Sequence, residues 1–171
     1  MIAPFALALL ILAGADQPAA APKVDVTDYG IYSADVVLNG DWKTGVPVTV
    51  QSATNITLSD TATTIPAMPG VNWGLHAQIT NPSHDRQILV TCTLTHPAFV
   101  TPDGQKHTQE VYEVFQVDPG KTVPEECMWY FVKECPYEFV PGKWSITFDI
   151  DGKTVLTKDF HLYKPKPAAG P

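Results

Sequence analysis

Val140-Pro141-Gly142-Lys143-Trp144-Ser145-Ile146-Thr147-Phe148-Asp149-Ile150-Asp151-Gly152-Lys153-Thr154-Val155-Leu156-Thr157-Lys158-Asp159-Phe160-His161-Leu162 is the stretch whose reading decides the fold. Trp144, Ile146, Phe148 and Ile150 alternate with Lys143, Ser145, Thr147 and Asp149, the pattern of a strand that buries one face. Beyond Asp151-Gly152, a strong turn signal, Leu156, Phe160 and Leu162 form a second apolar set. A two-residue loop would set Phe148 opposite Val155 and turn that second set away from the core. The expectation is an odd, three-residue loop with a bulge at Gly152, which brings Ile146 opposite Leu156. The hairpin then presents one apolar face, and a second sheet is needed to cover it.

The upstream chain supplies strands for that sheet. Val24 to Tyr32 alternates Val and aromatic residues, and Gly30 within it marks a bulge or a close backbone approach. Val46-Pro47-Val48-Thr49-Val50 and Asn55-Ile56-Thr57-Leu58 are short and Thr-rich, and Pro47 restricts the first to a sheet edge or a strand start. Trp73, Leu75, Ala77 and Ile79 share one face, which is read as core, and Gln87 to His96 is expected to return antiparallel beside them after the turn cluster at 81–85. His107 to Val117 alternates ambiguously, and Met128 to Val132 is too apolar for a wholly solvated face. With Gly/Pro turns at short spacing and no helical run, the fold class is all-β: an immunoglobulin-like antiparallel sandwich of roughly seven to nine strands.

Residues 1–15 read as a signal peptide: Ile2 to Ala13 is apolar but for Pro4, and Ala13-Gly14-Ala15 has the small residues that a signal peptidase reads. The run is too short to span a bilayer, which takes about 20 residues. Residues 16–23 form an Ala/Pro-rich linker, 24–163 the sandwich, and 164–171 a disordered Pro-rich tail. A formal charge of −7, with Arg86 the only arginine, argues against nucleic acid as a partner.

Export would place the three cysteines in an oxidising compartment. Cys92 shares the parity of Ile88, Val90 and Leu94 and reads as a small core residue, which leaves Cys127 and Cys135 as the expected disulfide. The ligand spacing of zinc sites is absent from the Cys/His pattern.

Asp28-Tyr29-Gly30-Ile31-Tyr32, Trp73-Gly74-Leu75, Thr95-His96-Pro97 and Tyr137-Glu138-Phe139-Val140-Pro141-Gly142-Lys143-Trp144 together resemble the uncharacterised bacterial exported family called domain of unknown function 3859. The resemblance runs from Val26 to Leu162. Its most specific part carries Glu138, Pro141, Gly142 and Trp144, and Tyr29, Gly30 and Tyr32 are the second anchor. It implies export and a compact β domain; it implies no activity, and the cysteines lie outside its pattern.

His76, His84, His96, His107 and His161 fall on separate strands and loops and read as solvated surface residues. No nucleophile-elbow motif and no carboxylate pair at useful spacing points to an enzyme, and no cofactor is implied. Asn55-Ile56-Thr57 matches a glycosylation acceptor by chance in a chain of bacterial resemblance. Trp42, Trp129, Tyr130, Phe131 and Tyr137 exceed what one inner face needs. Core packing accounts for part of this excess, and Trp129, Tyr130 and Tyr137 are the candidate binding patch.

The expected function is a non-enzymatic binding or accessory module of the cell envelope, periplasmic or extracellular, whose partner is an envelope protein or a glycan. One alternative is a periplasmic metal-binding protein using the histidines. The other, disfavoured, is a hydrolase in which His96 and Asp103 meet a nucleophile near the 97–105 loop.

Overall fold

The computed structural model describes residues 20–41, 43 and 46–166. The expected signal peptide, most of the linker, Trp42 and the last five residues of the tail, 167–171, lie outside the described residues.

Among the described residues nine strands follow in order: β1 (Lys23–Asp41), β2 (Val46–Asp60), β3 (Thr64–Pro66), β4 (Asn72–Thr80), β5 (Ile88–Val100), β6 (Lys106–Val117), β7 (Thr122–Tyr130), β8 (Gly142–Ile150) and β9 (Lys153–Tyr163). Among the described residues the only helical element with an assigned range is a 3₁₀ turn, Pro136–Glu138. The strands form a four-stranded sheet, β2-β1-β4-β7, and a five-stranded sheet, β3-β9-β8-β5-β6, so the all-β immunoglobulin-like sandwich is the observed class. All pairings are antiparallel except the short β3–β9 contact, where Thr64 to Pro66 runs parallel to His161 to Tyr163.

The hairpin of β8 and β9 obeys the parity requirement by a different device. Ile150 pairs with Lys153, so the loop is two residues long, with Asp151 and Gly152 both at positive φ (51° and 76°), as a type I′ turn requires. The odd residue is instead inserted in β9: Phe148 pairs with Leu156 and Asp149 with Thr154, leaving Val155 bulged and exposed. The expected bulge at Gly152 and the pairing of Ile146 with Leu156 are thus corrected. Trp144, Phe148, Phe160 and Leu162 nonetheless all face inward and are buried.

A second correction concerns β4 and β5. The two do not pair; β4 lies between β1 and β7, and β5 lies in the other sheet between β6 and β8. Their apolar faces, Trp73 to Ile79 and Ile88 to Leu94, meet across the core, because both sets need cover and only the opposite layer can supply it. Asn81, fully buried, fixes the corner between them: its side-chain amide donates to the carbonyls of Arg86 and Val117, each at 2.9 Å.

The third correction is the disulfide. Cys127 of β7 is bonded to Cys92 of β5, which staples one sheet to the other, and Cys135 is a buried thiol outside that bond. Cys92 is core by parity, as read, but its inward direction is what aims it at Cys127. Pro47 lies in an edge strand, as its missing N–H demands. Gly30 passes so close to β2 that a Cβ there would stand 2.0 Å from the Asp60 carbonyl oxygen, and at φ 143° a side chain is disfavoured in any case.

The β1–β2 hairpin is longer than the sandwich. β1 pairs with β4 only as far as Tyr32, whereas it pairs with β2 out to Asp41, so residues 33–41 with their partners 46–57 form an arm beyond β4.

Candidate functional site

β6 and β7 are edges of different sheets, and they face one another along one side of the sandwich. The disulfide lies behind this seam, and Tyr112 crosses it, its hydroxyl meeting the main chain at Met128. Tyr112 falls at a register shift in β6, between the pairs Cys92–Glu113 and Thr93–Val111, and that local irregularity frees it to cross.

At one end of the seam is a cleft of about 340 Å³. Tyr112, Met128, Trp129 and Tyr130 line it together with Val48 to Val50 of the arm, Val132, Cys135 and Glu138. Successive residues of a strand point to opposite faces, so Trp129 and Tyr130 can both line the cleft only because it wraps the edge of β7. Trp129 packs inward on Trp144 at 5.7 Å between ring centroids, and its Nε1 is buried with no hydrogen-bond partner. Burial, and then the charge of Glu110, push the Glu138 carboxyl up to about 7, while hydrogen bonds from Cys135 and Tyr137 partly oppose the shift.

Two of the three expected patch residues therefore meet in the cleft. Tyr137 does not join them; from the 3₁₀ turn it packs against Phe99 at 5.8 Å. Tyr112, Met128 and the arm were not singled out by the sequence, since no local signal brings β2 over β7.

At the other end the seam is acidic. Glu113 of β6 and Glu125 of β7 are hydrogen-bonded to one another, and burial followed by the Glu113 charge raises the Glu125 carboxyl to about 7. Glu126 and His76 join them around a hollow of about 420 Å³. Asp28 organises the rim: its Oδ1 accepts the Tyr32 hydroxyl at 2.5 Å and meets His76 Nδ1 at 2.8 Å, while His76 Nε2 lies 3.4 Å from Glu126. Burial, then Asp28, pushes the Tyr32 phenol upward, so it stays a donor. This carboxyl pair comes from strands of different sheets, and sequence spacing could not reveal it.

The motif residues take structural posts in the sandwich. Tyr29 lies under the Lys158 ammonium at 3.2 Å from its ring centroid. Gly142 leaves room for Pro97, whose Cγ would be 2.8 Å from a Cβ there, and exposed Pro141 precedes it. Trp144 Nε1 donates to the Val140 carbonyl at 2.9 Å.

His96 departs from the expected surface placement. β5 bulges between Thr95 and Phe99, which turns its side chain fully inward, stacked between Phe99 at 4.5 Å and Trp144 at 4.7 Å. Its Nδ1 donates to the Pro97 carbonyl at 2.9 Å, its Nε2 stands 3.9 Å from Glu110, and burial lowers its pKa. Asp103 is not its partner: that carboxylate is held by Thr101 and Gln105. His107 bonds Glu110 at 2.8 Å, and His84 and His161 are exposed. Among the described residues no group of three or more His, Cys, Asp or Glu side chains is arranged to hold a metal ion.

A family model described as "Domain of unknown function (DUF3859)" matches residues 20–162. No curated protein matches the chain. An immunoglobulin-like protein from Pseudomonas aeruginosa superimposes with a TM-score of 0.51 and 21% identity, over 86% of this chain and 100% of that one. An alkylpurine DNA glycosylase from Pseudomonas fluorescens gives a TM-score of 0.41 at 10% identity, over 82% of this chain and 30% of that one. A β-glucosidase from Kluyveromyces marxianus gives 0.43 at 8%, over 84% and 14%. The first likeness is one of fold.

Proposed function

The chain belongs to the family described as Domain of unknown function (DUF3859), and from that premise we propose that it is an exported, non-enzymatic binding module of the cell envelope. The observation that carries the reading is the cleft at the β6–β7 seam, where Trp129, Tyr130 and Tyr112 gather on an edge that the arm overhangs. Aromatic side chains at a rim offer large contact area at little entropic cost. The inter-sheet disulfide fits an oxidising compartment.

The test is photocrosslinking in the cell envelope. The full chain, processed as the cell processes it, carries a photoreactive residue in place of Thr49 at the cleft rim. One captured partner, lost in Trp129→Ala but kept in Lys153→Ala at the distant turn, is the expected result. Capture that ignores Trp129→Ala removes the cleft from consideration.

A further inference from the structure

The seam has two chemically different ends, and their separation matches an extended chain. Glu125 and Trp129 lie on the same strand, four positions apart. That is about 13 Å at the rise of a strand, and residues four apart in a strand point to the same side. Glu113, Glu125 and Glu126 gather three carboxyl groups at one end, and the apolar cleft opens at the other. β6 and β7 are both sheet edges, with outward main-chain groups that an added strand could meet.

We propose that the seam receives an extended peptide segment of a partner protein, with a basic side chain seated at Glu113 and Glu125 and an aromatic side chain four residues away in the Trp129 cleft. This deepens the binding-module reading and rests on it, since it names the class of ligand for the same seam. Charge complementarity selects the peptide: a guanidinium or ammonium group supplies the donors and positive charge that two adjoining carboxyls call for.

The probe is a capped five-residue peptide with arginine first, tryptophan last and threonine or valine between, its affinity measured by calorimetry against the full chain. Comparison peptides carry citrulline in place of arginine, or move the tryptophan one position closer so that it faces the other side. The arginine peptide is expected to bind about tenfold or more tighter than the citrulline one, the factor for a charge-assisted hydrogen bond. The preference should vanish in a Glu113→Gln, Glu125→Gln double variant and shrink at high salt. Citrulline and arginine peptides of equal affinity, both lost in Trp129→Ala, would overturn the basic assignment while leaving the cleft reading intact. Equal binding of the peptide with the tryptophan moved would overturn the extended register. Absence of binding at millimolar peptide would overturn the proposal, and photocapture at Thr49 then decides separately whether the cleft has another occupant, such as a glycan.

Discussion

Trp73 of β4 and Trp144 of β8 meet edge to face across the two sheets, their ring centroids 5.6 Å apart. Phe131 and Phe160 complete the cluster, and all four side chains are buried. Trp144→Ala should cost about 3–5 kcal/mol, the usual range for emptying a large aromatic site, and Trp144→Phe distinctly less. Urea unfolding with an unchanged slope checks this, and a loss under about 1 kcal/mol would mean that Trp144 does not join the sheets.

The Cys92–Cys127 bond closes a loop with a sequence separation of 35. Loop-closure entropy puts its stabilisation at about 3–4 kcal/mol. Non-reducing peptide mapping should recover this pair alone, and Cys92→Ala should lower the unfolding midpoint as strongly as reduction does. Cys135→Ala should leave the bond in place, and a map linking Cys127 to Cys135 would contradict the assignment.

The apolar alternation of β4, β5, β8 and β9 made the core legible, because Trp73, Val90, Phe148 and Phe160 could each be assigned a face from parity alone. Parity says which way a side chain points, not which strand lies beside it. Parity therefore does not distinguish a β5 beside β4 from a β5 across the core, and it leaves the inward Cys92 without an identified partner. Trp129 and Tyr130 were readable as aromatic excess. The rest of the seam was not, since Glu113 meets Glu125, and Val48 comes over Tyr130, only through contacts far apart in sequence. His96 turns inward for a local reason that strict alternation does not anticipate, the bulge at Pro97.

Gly74 sits opposite Gly30 in β1 and opposite Met128 in β7. A Cβ at Gly74 would stand 2.0 Å from the carbonyl oxygen of Cys127, so the strand that carries the disulfide would have to move. Gly74→Ala is expected to destabilise by more than the roughly 1 kcal/mol typical of a strand glycine, and to weaken any ligand of the Trp129 cleft. Thermal unfolding beside Gly120→Ala, where no atom lies within 4 Å of the added Cβ, separates crowding from backbone strain. Equal losses at both sites would leave crowding without a role.

Glu138 gives a pH dependence whose sign follows from its burial. Unfolded, its carboxyl releases a proton near 4.5; folded, it holds that proton up to about 7. Between those values the folded state binds more protons, so this group's contribution to stability is full below the lower value and falls as pH rises to the upper one. Glu125, raised to about 7 beside Glu113, acts in the same direction. His96 acts oppositely: burial lowers its pKa, so its contribution rises with pH up to its ordinary 6.5. Asp103, Asp151 and Asp159 are held low by the Thr101 side chain, the Leu89 main chain and the Lys143 side chain, and they matter only in more acid solution. Because these groups overlap, the discriminating quantity is the difference between Glu138→Gln and the unsubstituted chain. The variant should gain on the parent by about 1–2 kcal/mol between pH 5 and 8, after allowance for partial solvent screening. Denaturant unfolding at several pH values measures it. A difference that stays flat, or that moves against the variant as pH rises, would mean that the Glu138 carboxyl ionises in the folded cleft as readily as in water.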